Sequence, residues 1–116
     1  MTIQVLQPDD YASQEIARPR IDWTPESADL HVNLVSLKPG EAIADHVNET
    51  LDVLLTCLFG TGELHVDDDI IALVPGTVVL IPQGARRSIV ANDNTVRYTT
   101  CHRKRGGLMP TIRART

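Results

Sequence analysis

The stretch GTVVLIPQG, residues 76–84, decides the fold of this chain. Its apolar run is rich in Val and has the length and composition of a strand. Pro82 presets a turn dihedral and Gly84 tolerates left-handed backbone, so a tight turn is predicted directly after the strand. Residues 85–92 predict a second strand, which ends at the turn-forming sequence Asn-Asp-Asn.

Short apolar strands and polar turns recur on both sides of this stretch. Leu30, Val32 and Leu34 alternate with His31 and Asn33, which predicts a strand with His31 facing outward. Further strands are predicted at 60–66, 70–74 and 95–103. Because many short strands are joined by Gly and Pro turns, we predict an all-β antiparallel barrel or jelly roll.

The segment 51–59 is apolar on both faces, which is unusual for a strand of an antiparallel sheet. Leu54 and Leu58 lie on one face, and Leu55 and Cys57 lie on the other. A partner or a second layer must cover the outer face. We therefore predict a homodimer with Leu55 in the interface. The N-terminal arm of the same chain is the alternative cover.

Composition limits the classes of partner. The chain has 116 residues, a net charge of −4 and 3% aromatic residues, so neither a basic field nor a stacking surface for nucleic acid is expected. The sequence has no apolar run of membrane-spanning length and no signal peptide, which favours a cytoplasmic protein. We predict two parts, an N-terminal arm at 1–29 that covers the barrel or crosses a dimer, and a barrel at 30–116.

Two clusters of residues carry a family resemblance. In the first, Gly40 is followed by His46 after five residues, then by Asn48, Asp52 and Gly60. This spacing is similar to the first motif of the cupin family, in which His-x-His and Glu occupy the three central positions.

The second cluster resembles the second cupin motif. Gly76, Pro82 and Gly84 match its turn residues, and Arg87 stands where the family has a third His. The resemblance covers roughly residues 30–103. It implies a single-domain cupin barrel with altered ligand positions, of which His46 alone is retained.

The resemblance implies comparison with metal-binding cupins, in which three His and one Glu hold a metal. Here Arg87 would repel a divalent cation and is expected to point inward, held by Asp52. If strands 85–92 and 95–103 pair as a hairpin, Thr100 and His102 share the inward face with Arg87. His46, Asp52 and His102 could then form a two-His, one-carboxylate site.

Three functions stay open. The leading hypothesis is a cupin barrel that binds a small anionic or polar molecule without a cofactor. The predicted ligand-binding residues are His46, Asn48, Asp52, Arg87, Tyr98, Thr100 and His102. The first alternative is a metal-dependent enzyme of the dioxygenase or isomerase type that holds one divalent transition metal with His46, Asp52 and His102. The second is a non-catalytic sensor or scaffold. The sequence does not decide whether the chain is an enzyme.

Overall fold

The structure is a computed structural model that describes residues 2–16 and 20–104. Residues 1 and 17–19 of the predicted arm, and residues 105–116 of the predicted barrel, lie outside the described part. The elements are α1 (Pro8–Tyr11), β1 (Arg20–Trp23), β2 (Leu30–Leu37), β3 (Ala42–Val47), β4 (Val53–Phe59), β5 (Gly62–Val66), β6 (Asp69–Leu73), β7 (Val78–Ile81), β8 (Arg86–Ala91) and β9 (Val96–Arg103). No helix in these residues is long and apolar enough to cross a membrane.

The strands form two sheets that pack face to face. The larger sheet has the order β1-β2-β9-β4-β7 and the smaller one the order β3-β8-β5-β6. Every paired neighbour is antiparallel. The chain crosses repeatedly from one sheet to the other, as in a jelly roll. The predicted all-β, cupin-type architecture is confirmed.

The space between the sheets is filled almost entirely by aliphatic side chains. Both inner faces contribute, because side chains on a strand alternate between its two faces. The buried cluster includes Val35, Leu37, Val53, Leu55, Leu64, Leu73, Ile81, Ile89, Val96 and Tyr98. The low aromatic content of the sequence therefore leaves Tyr98 as the one aromatic side chain of this buried cluster.

The predicted hairpin between strands 85–92 and 95–103 is wrong. β8 pairs with β3 and β5, whereas β9 pairs with β2 and β4 in the opposite sheet. The Asn-Asp-Asn segment thus bridges the two sheets. Both strands still send their apolar residues into the same core from opposite sides, so the predicted inward face of each strand is retained.

The predicted orientation of β2 is also wrong. Val35 and Leu37 belong to the core cluster, and the two-residue alternation therefore places His31 and Asn33 on the inner face. Leu34 lies on the opposite face and is nevertheless 2% exposed. The arm explains this burial, since Val5, Leu6 and Trp23 line a cavity together with Leu34. Both faces of β2 are covered, so its apolar pattern did not reveal which face is inside.

The prediction that Leu55 of β4 lies in an interface is wrong. Val53, Leu55 and Cys57 are fully buried in the core, whereas Leu54 is 42% exposed on the outer face. A charge at position 55 would therefore disrupt the barrel itself and would not report on assembly.

The N-terminal arm is fixed to the larger sheet by a buried arginine. The guanidinium of Arg97 is 2.8 Å from Asp22 Oδ2 and 3.0 Å from Ser36 Oγ. It also donates to the backbone carbonyls of Ser13 and Glu15. The arm described here thus packs on the sheet of its own chain.

Candidate functional site

An arginine–histidine pair lies at one end of the barrel, on two neighbouring strands of the smaller sheet. His46 on β3 and Arg87 on β8 are register partners. A β-bulge between Ile43 and His46 shifts the register, so that both Ile43 and His46 can face inward. Arg87 Nε donates a hydrogen bond to His46 Nε2 at 2.9 Å.

This hydrogen bond determines which nitrogen of the His46 ring accepts. A guanidinium nitrogen can only donate, so His46 Nε2 must accept and the ring proton must be on Nδ1. Nδ1 lies 3.3 Å from the backbone carbonyl of Ala44, to which it donates. Both ring nitrogens are therefore engaged, and His46 is neither a free metal ligand nor a free general base while the pair stands.

Arg87 brings an incompletely satisfied positive charge into the barrel. Its Nη1 is buried and has no hydrogen-bond partner among the described residues. Burial lowers the pKa of the Arg87 guanidinium from its ordinary value, and the nearby phenol of Tyr98 opposes that shift. The group nevertheless stays charged at neutral pH. A partly buried cation with an unpaired nitrogen is stabilised by an anion.

Tyr98 and Thr100 line the inner face of β9 on the opposite sheet. Tyr98 is 1% exposed, and burial raises its pKa, while the charges of Arg87 and Arg20 act in the opposite direction. The phenol is thus neutral and able to donate a hydrogen bond. Thr100 follows on the same face and is half-buried. Among the predicted residues, Tyr98 and His46 both interact with Arg87, Tyr98 through its nearby phenol and His46 through the hydrogen bond.

His102 occupies the inner face of β9 beyond Thr100 and contacts His31, which was predicted to face outward. Its ring packs edge-on against His31, with 4.9 Å between the ring centroids. His102 Nδ1 lies 2.9 Å from the carbonyl of Arg103 and donates to it. His31 in turn lies near the amide of Asn33.

Asp52 is not at the position predicted for it. It is exposed, and its carboxylate accepts a hydrogen bond from the backbone N–H of Gln83 at 2.9 Å. The expected ion pair with Arg87 is not formed in the described part of the chain. The neighbouring Val53, which is fully buried, points into the barrel instead.

Val53 therefore occupies the position of the motif glutamate. The gap between the histidine pair of the motif and the Glu varies by one residue, and the longer gap leads to Val53. In the cupin motif about six residues separate the Glu from the final Gly, and six residues separate Val53 from Gly60, whereas seven separate Asp52 from it. That spacing was the signal in the sequence that could have identified the inward residue. For His31 the signal was the two-residue alternation in β2, because the apolar Val35 and Leu37 lie on the same face of the strand as His31.

Asn48 serves the turn after β3. Its Oδ1 accepts hydrogen bonds from the backbone N–H groups of Thr50 and Leu51, at 3.2 and 3.1 Å. Its backbone carbonyl accepts from Gly84 at 2.7 Å, which joins the two motif turns. The Asn48 side-chain oxygen is therefore already used in holding the loop.

These residues do not fit a divalent metal. His46 has no free nitrogen, Val53 offers no ligand atom, and Arg87 adds a positive charge. His46, Asp52 and His102 are not brought together, and no group of three His, Cys, Asp or Glu in the described residues could hold a metal ion. The geometry thus differs from the predicted two-His, one-carboxylate site.

A separate open groove of about 700 Å³ lies beside this end of the barrel. It is lined by the loop 24–28 together with Leu30, His31 and Lys104. His31 is its one residue on the inner face of β2. Neither Arg87 nor His46 lines the groove, so it is distinct from the arginine–histidine pair.

Comparison with known proteins supports the same fold. A family model described as "Cupin domain" matches residues 33–100, more than half of the chain. The search of curated protein sequences found no match to this chain. Among solved structures, the SPY1581 protein of unknown function from Streptococcus pyogenes is similar over 90% of each chain, with 20% identity and a TM-score of 0.71.

Two further structures share the fold. The cupin domain of Cnp3 from Schizosaccharomyces pombe has 17% identity and a TM-score of 0.65, and the match covers 73% of this chain but 60% of that one. A predicted oxalate decarboxylase from Thermotoga maritima has 20% identity and a TM-score of 0.58 over 63% of this chain and 64% of that one. At these identities the likeness concerns the fold alone.

Proposed function

Because this chain belongs to the cupin domain family, we propose that it uses the mouth of its barrel to bind a small organic anion, with Arg87 in the place of a metal. The observation that carries the proposal is the buried Nη1 of Arg87, which has no partner among the described residues. A carboxylate would neutralise the guanidinium and accept this unused hydrogen bond. Charge-assisted bonds of that kind are among the stronger ones in proteins.

The Arg87–His46 bond supports a binding role. By occupying Nε of Arg87, His46 fixes the orientation of the guanidinium, whose Nη1 is left without a partner among the described residues. An ordered guanidinium loses less conformational entropy when the ligand binds. His46 is thus a positioning residue in this proposal, and its Nε2 could accept a proton only if the bond from Arg87 were broken.

Neutral groups on the opposite sheet complete the proposed pocket. The phenol of Tyr98 and the hydroxyl of Thr100 can donate hydrogen bonds, and the ring of His102 on the same face offers a further polar group. An anion that also carries a hydroxyl or a second acid group would use both sides of the barrel. Small hydroxy acids and dicarboxylic acids have this chemistry.

Oxalate is a suitable first probe of the pocket. It is a small dicarboxylate, and the similar structure from Thermotoga maritima is described as a predicted oxalate decarboxylase. Malonate and phosphate extend the series in length and in geometry. Acetate tests whether a single carboxylate suffices.

We expect Arg87→Gln to weaken the binding of the best of these probes by about 10- to 100-fold, because a hydrogen bond to a charged group contributes about 1.5–3 kcal/mol. Isothermal titration calorimetry in the presence of a metal chelator measures the change. The matched control is Arg86→Gln, since Arg86 is the adjacent residue on β8 and its side chain is exposed.

The control variant should bind like the wild type. Equal weakening by both substitutions would mean that only overall charge matters, and the pocket would then have no part in binding. Binding that disappears from the wild type when the chelator is added would favour a metal-dependent site and contradict the proposal.

A further inference from the structure

Two histidine side chains lie side by side on neighbouring strands of the larger sheet. His31 on β2 and His102 on β9 are direct register partners in an antiparallel pair of strands. Such partners project from the same face of a sheet, with their Cβ atoms about 4.5–5.5 Å apart. The two ring centroids are 4.9 Å apart, and the ring planes differ by 64°. We call these two residues the His31–His102 pair.

The separation of the two rings is that of a metal chelate. Zinc binds imidazole nitrogen at about 2.0–2.1 Å with tetrahedral geometry, so two imidazoles that share one ion have their ring centroids about 5 Å apart. The 4.9 Å between the rings of the pair matches this value. The backbone pairing of β2 and β9 sets the distance, so binding requires the rings to turn but not the strands to move.

The hydrogen bond of His102 is typical of a histidine that binds a metal. Its Nδ1 donates to the backbone carbonyl of Arg103 at 2.9 Å. Metal-binding histidines almost always donate their second ring N–H to a carbonyl, a carboxylate or water, which fixes the ring orientation and makes the other nitrogen more basic. In a neutral ring with its proton on Nδ1, Nε2 is the nitrogen that can bind a metal.

The surroundings of His31 select the same ring nitrogen. Thr24 Oγ1 donates to Asn33 Oδ1 at 2.6 Å, so the amide nitrogen of Asn33 is the group turned toward His31. That nitrogen lies 3.4 Å from His31 Nε2, and because an amide nitrogen can only donate, Nε2 is the accepting atom. The contact is longer than the usual hydrogen bond of about 2.7–3.2 Å, so exchanging it for a metal bond costs little.

The His31–His102 pair is accessible to an ion from solvent. His31 is exposed and lines the open groove beside this end of the barrel, which provides an entry path. Glu26 and Lys104 line the same groove, and their opposite charges offset each other. No third His, Cys, Asp or Glu of the described residues joins the pair, so water or another small ligand would complete the coordination.

We propose that the His31–His102 pair is a chelating site for one divalent transition metal of the kind that imidazole favours, such as Zn²⁺ or Cu²⁺. The site is distinct from the ligand positions of the two cupin motifs, since His46 and Arg87 lie on the smaller sheet. Two neutral imidazoles also place no opposing charge on the ion, whereas Arg87 does so at the motif position. A bound metal would join β2 to β9 at the mouth of the barrel.

The wild-type protein should bind one zinc ion per chain. His31→Gln and His102→Gln should each weaken zinc binding by at least about 100-fold, because a single imidazole loses the gain from a second ligand held in place. Isothermal titration calorimetry measures the affinities, and circular dichroism checks that each variant is folded. The matched control is His65→Gln, since His65 lies on β5 in the other sheet and contacts Glu63. This control should bind zinc like the wild type.

Nitrogen-15 NMR of the histidine rings identifies the ligand atoms directly. Zinc should shift the Nε2 resonances of His31 and His102 and leave the His46 ring unchanged. Zinc affinity that survives His31→Gln would overturn the proposal, as would equal weakening by His65→Gln. Zinc shifts at His46 in place of the pair, or a wild type that binds no zinc, would overturn it as well.

Discussion

Gly60→Ala should destabilise the protein by about 4 kcal/mol or more, enough to leave a domain of this size largely unfolded. A Cβ at position 60 would lie 1.7 Å from the backbone oxygen of Thr95. Backbone atoms cannot move away without displacing the start of β9. Gly60 also has a φ of +76°, which residues other than glycine rarely adopt.

Gly40→Ala separates the two causes. Gly40 has nearly the same backbone conformation, with a φ of +78°, but an added Cβ would meet nothing within 4 Å. It should cost about 1–2 kcal/mol through the left-handed backbone alone. Urea unfolding followed by circular dichroism gives both values. Equal losses for the two variants would show that β9 does not approach Gly60 as closely as described.

Arg97→Ala should cost about 3–5 kcal/mol, because it leaves the buried carboxylate of Asp22 without its cation. The side chains of Arg97 and Asp22 are 5% and 13% exposed, so solvent cannot replace the lost partner. The substitution also removes the hydrogen bonds that hold Ser13 and Glu15 of the arm. We expect the arm to become sensitive to limited proteolysis in this variant.

A double substitution tests whether the loss comes from the unpaired charge. Arg97→Met combined with Asp22→Leu removes both charges and should restore much of the stability, because a buried ion pair is often no more stabilising than apolar residues of similar volume. Arg86→Ala is the surface control and should change the free energy of unfolding by less than about 0.5 kcal/mol. A small loss for Arg97→Ala would mean that the arm contributes little to the fold.

The fold could be predicted from the sequence because its turn residues are specific. The glycine and proline positions of the two motifs fix where strands end, and period-two alternation then orients most of them. Alternation failed for β2 and β4, where Leu34 and Leu54 made the outer face as apolar as the inner one. In β2 the arm covers that face, a long-range contact that no local pattern carries.

The site was harder to predict, since one residue of register decides which side chain points inward. Asp52 and Val53 are adjacent, and a carboxylate at a motif position was the more attractive ligand. The pairing of Arg87 with His46 was also missed, although both were expected inside. An arginine is a cation, and the motif histidine binds a metal in metal-binding cupins, so the two are not an obvious pair. Their bond requires a neutral His46 ring with its proton on Nδ1.

The measurement that tests the account most directly is nitrogen-15 NMR of the His46 ring and the Arg87 Nε–H, during titration with oxalate and, separately, with zinc. In the protein without added ligand, we predict that His46 carries its proton on Nδ1 and that Arg87 Nε–H is hydrogen-bonded to His46 Nε2. Oxalate should then shift the Arg87 resonances, while stoichiometric zinc should leave the His46 ring unchanged. Stoichiometric binding of zinc by the His46 ring, together with Arg87 resonances that do not change with oxalate, would contradict the claim that an arginine has replaced the metal.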